Sequence, residues 1–310
     1  MARTIFMGTP EFAVPILKAL DEGHEIAGVV TQPDRPAGRG RKLTASPVKE
    51  FAERRSLEVY QPQGFADPGA VQRLADWQPE VIVVAAFGQI LPPAVLELPP
   101  HSCLNIHGSL LPRYRGAAPI SAAILAGDEK TGVTAMLMDE GMDTGPILAQ
   151  AEMAIGPSDT TGTLTAELAQ LGAQLLIDTL PAWLEGRITP QHQDDDQATY
   201  CSLLRKEDGR LDWSRSVGYL DRQVRACDPW PGTYTCWQGR RLKVLRVYPR
   251  PKTSAPGTIG QVVELDPGIG VVTGQGALEL LEVQLAGKKP MDIEVFVRGQ
   301  QDFVGSPLGS

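Results

Sequence analysis

The sequence predicts an α/β protein, a parallel sheet covered by helices and followed by a small β-barrel. Three observations carry that expectation. Arg3–Met7 and Glu25–Val30 are apolar runs on either side of Phe12–Leu20, whose apolar residues recur at helical spacing; a β-α-β opening builds parallel sheets. Val81–Ala85 is continuously apolar and β-branched, the composition of a strand covered on both faces. Beyond residue 228, short alternating runs broken by Gly and Pro replace the helical periodicity, as in a barrel.

Taken in order, the first turn, Gly8-Thr9-Pro10-Glu11-Phe12, lacks the spaced glycines of a dinucleotide fingerprint, which weighs against a nicotinamide cofactor. Thr31–Pro47 follows the second strand. Its Pro and Gly content excludes helix and central strand, and its length for a structureless loop points to function or disorder. It carries Arg35, Arg39, Arg41 and Lys42 against one acid, Asp34, so it reads as a loop that orders on a phosphate backbone. Ser46 caps a helix with Pro47 at its first position. A short strand at Val59–Gln61 and a helix over Gly69–Trp77 precede Val81–Ala85.

Phe87–Pro92 then lies beyond a carboxyl strand end, where ligands of open α/β sheets sit. Cys103–His107 is the next strand, with Ala117–Ala126 a helix, Thr131–Met138 and Ile147–Ile155 strands, the latter at an edge, and Thr160–Leu184 the longest helix. Arg187–Thr199, polar with an acidic run, reads as a linker. A helix from about Ser214 and strands including Gly257–Glu264, Gly270–Val272, Ala277–Glu282 and Ile293–Phe296 complete a barrel of the oligonucleotide-binding type. The expected division is a Rossmann-like domain over 1–186, a linker over 187–203, an OB-like domain over 204–303 and a disordered tail over 304–310.

Charge is unevenly spread. The chain carries a net −8, yet residues 1–196 sum to −11 and residues 205–252 to +7. A basic patch on an acidic protein is the local footprint of a polyanion partner. Arg240, Arg241 and Lys243 lie in that segment; Lys288 and Lys289 form a further basic hairpin candidate. Trp213, Trp230 and Trp237 interleave with the cations, although buried Trp is more often barrel core. The four cysteines lack metal or disulfide-framework spacing. No secretory or membrane-spanning run is present. A cytoplasmic, monomeric protein without a metal is expected.

One cluster carries chemistry. Asn105 and His107, two apart on a strand, share a face at its carboxyl end. Asp143 stands between glycines in Asp139–Gly145. An imidazole exchanges its proton near neutral pH, a nearby carboxylate fixes its tautomer, and an amide can donate to a growing oxyanion. One donor, one titratable ring and one acid suit acyl-type transfer by acid–base chemistry. Arg113 and Arg115 read as cations at the pocket rim.

The runs Asn-Ile-His-Gly-Ser-Leu-Leu-Pro (105–112), Arg-Gly-Ala-Ala-Pro-Ile (115–120) and Gly-Met-Asp-Thr-Gly (141–145) resemble the N10-formyltetrahydrofolate-dependent formyltransferases. The insertion at 32–49 and the segments 206–213 and 228–234 are similar to members acting on charged initiator tRNA. The resemblance implies 10-formyltetrahydrofolate as donor and initiator methionyl-tRNA as acceptor, with Asn105, His107 and Asp143 catalytic. It implies a folate pocket lined by Phe87, Gly88, Gln89, Ile90, Leu91, Pro92, Ser109, Leu110, Leu111, Pro112, Asp139 and Gly141. Arg39 would probe the end of the acceptor stem. A small-amine acceptor, such as glycinamide ribonucleotide or an amino-sugar nucleotide, is the alternative; it would need neither the basic insertion nor the basic second domain.

Overall fold

A computed structural model describes residues 1–37, 42–252 and 256–309. The described residues sort into two compact units. The first comprises Met1–Pro119, Lys130–Ala154 and Leu164–Ser202; the second takes Leu203–Ser310 together with Ile120–Glu129 and Ile155–Thr163.

The first unit opens with β1 (Arg3–Gly8), α1 (Ala13–Gly23) and β2 (Glu25–Val30). Then come β3 (Arg35–Ala37), β4 (Lys42–Thr44), α2 (Pro47–Arg54), β5 (Val59–Tyr60) and α3 (Pro68–Asp76). They are followed by β6 (Val81–Ala85), α4 (Pro93–Leu96), β7 (Cys103–His107) and β8 (Arg115–Gly116). α5 (Pro119–Ala126), β9 (Lys130–Leu137), β10 (Ile147–Ala154), α6 (Thr161–Leu184) and β11 (Tyr200–Cys201) complete the stretch to residue 202.

Seven strands form one sheet in the order β10-β9-β7-β6-β1-β2-β5. The five from β7 to β5 run parallel; β9 is antiparallel to β7, and β10 to β9. All five residues of β6 and of β7 are buried, as the unbroken apolar run of β6 requires of a strand covered on both sides. The chain leaves β1 toward β2 and later returns to its other side with β6, so the switch point falls between β1 and β6. There Thr9 Oγ1 donates to the Phe87 carbonyl at 3.0 Å. Helix starts follow their caps: Ser46 Oγ accepts from Lys49 N at 3.1 Å, and Asp67 from Gly69 N at 2.9 Å.

Two expectations change here. Thr31–Pro47 is not irregular throughout: β3 and β4 pair as an antiparallel ribbon, Arg35 opposite Thr44. A two-stranded ribbon places no proline in a central strand, so the composition that excludes one permits the other. Arg39 and Arg41 lie outside the described residues, and of Lys42 the backbone alone is described. Arg187–Thr199 is also more than a linker, because it leads into β11, which pairs parallel to β8.

The second unit holds α7 (Val217–Ala226), β12 (Thr233–Trp237), β13 (Arg240–Arg250), β14 (Val262–Glu264), β15 (Ile269–Val272), β16 (Ala277–Leu285), β17 (Met291–Asp292) and α8 (Ile293–Arg298). Its strands form a curled antiparallel sheet in the order β12-β13-β16-β15-β14, with β17 on β16. It is a half-barrel, unclosed among the described residues. Its core includes Trp213, Trp237, Phe296 and Phe303. The Phe296 and Phe303 rings meet edge-on at 4.9 Å. Ile293–Phe296, expected as a strand, is helical: Ile293 and Phe296 are buried while Glu294 and Val295 are exposed, a spacing of three rather than two. The tail is not disordered at 304–309. Val262 N donates to Ser306 O at 2.9 Å, Trp237 Nε1 to Ser306 Oγ at 2.9 Å, and Leu308 is buried.

Candidate active site

Strand β7 ends the candidate site from below. Asn105 and His107 are each 7% exposed, on the same face of β7, one residue from Gly108. The Asn105 amide has no protein partner among the described residues and is not sealed from solvent. His107 Nε2 lies 3.0 Å from the Tyr114 carbonyl. A carbonyl only accepts, so this bond places a proton on Nε2 and leaves Nδ1 as the ring atom that faces the site. Nδ1 stands 3.7 Å from Asp143 Oδ2. The three residues expected to act together are therefore brought together.

Asp143 is fixed from several sides. Its backbone is left-handed, with φ 54°, a conformation that persists in a non-glycine residue only where neighbours enforce it. Oδ2 accepts from Gly116 N at 2.8 Å. Gln193 Nε2 donates to the carbonyls of Asp143 and Gly145, each at 2.8 Å. Asp139, expected in the folate pocket, shapes the loop: Oδ1 accepts from Gly141 N at 3.0 Å and from Thr144 Oγ1 at 2.7 Å.

Arg115 overturns its expected place at the rim. It is 1% exposed and is the largest fully buried side chain among the described residues. Nε and Nη2 donate to Gln193 Oε1 at 3.0 and 2.9 Å, and Nη2 to Asp195 Oδ1 at 2.7 Å. Burial opposes the guanidinium charge, but the bonds to Asp195 and Tyr200 outweigh it and raise its pKa above the usual arginine value. Sequence reasoning missed Gln193, Asp195, Tyr200 and Cys201 here. Nothing in their local pattern separates them from a solvated acidic stretch. Cys201 is half-buried, and burial, reinforced by the Asp143 charge, pushes its thiol up.

The remaining expected residues divide. Phe87 is 2% and Leu91 4% exposed, both in the core cluster with Met7, Val30 and Val84. Their side chains anchor the loop, and the Phe87 ring packs 6.2 Å from Phe65. Gln32 Nε2 holds the same loop by donating to the carbonyls of Phe87 and Gly88 at 2.9 and 3.0 Å. Ile90 is 90% exposed, Gln89 donates to Pro62 O at 3.3 Å, and Pro92 precedes α4 as its N-cap. Ser109 and Leu111 are also buried: Ser109 Oγ donates to Arg113 O at 2.6 Å, and Leu111 N to Thr134 Oγ1 at 3.1 Å. Leu110 and Pro112 are half-buried and Gly141 is exposed.

Arg35, expected on a phosphate, donates to Gln32 Oε1 at 2.6 Å. In the second unit, Arg241 stacks 3.6 Å above the Tyr234 ring. With Lys243, Lys206 and the half-exposed Trp230 they line one cavity. Arg240 donates to Ala286 O at 3.2 Å, and Lys288 and Lys289 sit exposed on the turn between β16 and β17. Trp213 and Trp237 are core, as buried indoles usually are.

Residues 2–180 match the formyl transferase family model, and residues 203–301 that of the formyl transferase C-terminal domain. The chain is 51% identical over 301 residues to the methionyl-tRNA formyltransferase of Chloroflexus aurantiacus, covering 96% of each chain. It is 46% identical over 304 residues to that of Myxococcus xanthus, covering 98% of this chain and 97% of that one. An N-formyltransferase structure from Helicobacter canadensis, with folinic acid and dTDP-3-aminofucose, shares the fold at a TM-score of 0.67 and 17% identity, over 93% of this chain and 100% of that one. HypX from Aquifex aeolicus with tetrahydrofolic acid does so at 0.64 and 17%, over 98% of this chain and 48% of that one. With both family models matched across its length and relatives at about half identity, this chain belongs to the formyl transferase family.

Proposed function

We propose that the protein transfers the formyl group of 10-formyltetrahydrofolate to the α-amine of methionine on initiator methionyl-tRNA, in support of translation initiation. The observation that carries the chemistry is the meeting of His107 Nδ1 and Asp143 Oδ2 at 3.7 Å beside the partnerless Asn105 amide. The acceptor is supported by relatives named methionyl-tRNA formyltransferase at 44–51% identity over nearly the whole chain. A folate fits the residues present. Ile90 and Met142, 90% and 63% exposed, offer apolar surface to a flat ring from the two loops that flank β7.

The donor supplies an activated formyl carbon. When the amine adds there, negative charge grows on oxygen and positive charge on nitrogen. The Asn105 amide donates toward the oxygen, and the His107 ring does so from Nδ1 once it is protonated there, a kind of donor worth about 3 kcal/mol of barrier. Asp143 takes the amine proton and faces the imidazole, so relay to Nδ1 needs little motion; proton delivery to the folate nitrogen then breaks its bond to the formyl carbon and releases tetrahydrofolate. All three groups belong to the first unit, so a monomer suffices, and charged tRNA places the reaction in the cytoplasm. No helix among the described residues is long and apolar enough to cross a membrane.

The test incubates labelled 10-formyltetrahydrofolate with charged initiator and elongator tRNA. Label should pass to methionine on the initiator. His107→Ala should lower turnover about 10²–10⁴-fold while folate still binds; wild-type turnover in that variant would remove His107 from the mechanism.

A further inference from the structure

Gln193 makes its contacts in an arrangement with one orientation. Both guanidinium donors from Arg115 reach Oε1, at 3.0 and 2.9 Å. The amide nitrogen must then face the other way, where it donates to the carbonyls of Asp143 and Gly145 at 2.8 Å each. Arg115 cannot swing away, because it is buried and Asp195 holds Nη2. Its backbone is fixed as well: Arg115 N donates to Thr199 O at 2.8 Å within the β8–β11 pairing. The next residue, Gly116, presents its N–H to Asp143 Oδ2. One buried cation therefore governs the acid loop by two routes, through Gln193 to the backbone and through β8 to the carboxylate.

We propose that Gln193, clamped by Arg115, is a positioning residue that sets Asp143 at its distance from His107. The inference rests on the proposed formyl transfer for its activity readout, while its geometry stands apart from the acceptor's identity. A left-handed Asp143 has a competing conformation to relax into. Two hydrogen bonds to the carbonyls that flank residue 144 hold it back. A small displacement of a proton acceptor costs much in rate, about 100-fold for about 1 Å, and little in affinity.

Gln193→Glu is the decisive variant. It keeps an acceptor for Arg115 and turns the amide donor into an oxygen facing two carbonyls. We expect kcat to fall about 100-fold, with the acceptor KM nearly unchanged and the unfolding midpoint preserved by the Arg115 pair. In substrate-free protein, the His107 imidazole NMR resonances should move toward those of Asp143→Asn, since the carboxylate has shifted. In an Asp143→Ala background, Gln193→Glu should add no further loss, because the residue acts through the missing group. Unmoved His107 resonances, wild-type kcat, or a loss that adds in full to Asp143→Ala would each overturn the assignment. Should the carboxylate variant not fold, Gln193→Leu removes the same donors without charge and is read in the same ways. If wild-type protein formylates no tRNA, the proposed function fails, and the His107 resonances still decide the role of Gln193.

Discussion

Arg115 shows what a single residue hides. In sequence it lies in a Tyr-Arg-Gly run beside prolines, and a charge there reads as solvated. In the fold, three partners from 78 to 85 residues downstream close over it. Removing one side of a buried charged pair costs about 3–5 kcal/mol. Asp195 is 82% exposed and can rehydrate, so Arg115→Met should cost less, about 2–3 kcal/mol by urea unfolding; no change would mean that solvent already reaches the site. The buried cysteines give a pH signature. Burial alone pushes Cys103 up to about 12; burial, then the Asp208 charge, brings Cys227 to about 11. An unfolded thiol titrates near about 8.5, so above that value the unfolded chain binds fewer protons than the folded one. The stability present below about pH 8.5 is then lost toward about 11 and 12, by up to about 1.4 kcal/mol per pH unit for each thiol. Urea midpoints measured from pH 7 to 10.5 should decline, and less steeply in Cys103→Ala; equal slopes would mean that the thiol is not sealed.

Elements were readable where local chemistry decides them. Ser46-Pro47 announces the start of α2, and the unbroken apolar run of β6 announces a covered strand. They were unreadable where a distant partner decides. The β8–β11 pair joins residues 85 apart in sequence. The four residues at 293–296, three of them apolar, carry too few turns to separate strand from helix without their surroundings. The site divides the same way. Asn105 and His107 follow from strand alternation and Asp143 from its glycines, but the glutamines that pin the loops bear no local mark. Gln32, Gln150 and Gln193 each donate to carbonyls of a different site loop, at Phe87, Leu111 and Asp143. The glycines of Asp139–Gly145 are also more than hinges. A Cβ on Gly145 would collide with the Leu137 carbonyl oxygen, where Leu137 N already donates to Pro146 O at 2.9 Å. Gly145→Ala should therefore push the loop off β9 and lower formyl transfer about 10-fold or more, in steady-state assays at saturating donor; full activity would show that the loop tolerates the shift.

At the scale of the molecule, the uneven charge is the property to test. Residues 1–196 carry a net −11 and residues 205–252 a net +7. A polyanion approaching an acidic protein must therefore be held by a local field. Arg241 and Lys243 belong to that segment, line one cavity with Trp230, and Arg241 is steadied on the Tyr234 ring. Cations held by stacking lose less freedom on binding a phosphate than free ones. Each phosphate neutralised releases counterions, so log affinity should fall against log salt with a slope of about −0.9 per contact on a duplex stem. The double variant Arg241→Glu with Lys243→Glu should flatten that slope by about 2 and raise the tRNA KM while kcat at saturation holds. Filter binding across a salt series measures the slope, and steady-state kinetics with charged initiator tRNA measures the split. An unchanged slope would place the phosphate contacts elsewhere on the chain. A fall in kcat at constant KM would mean that these cations act on the chemistry rather than on capture.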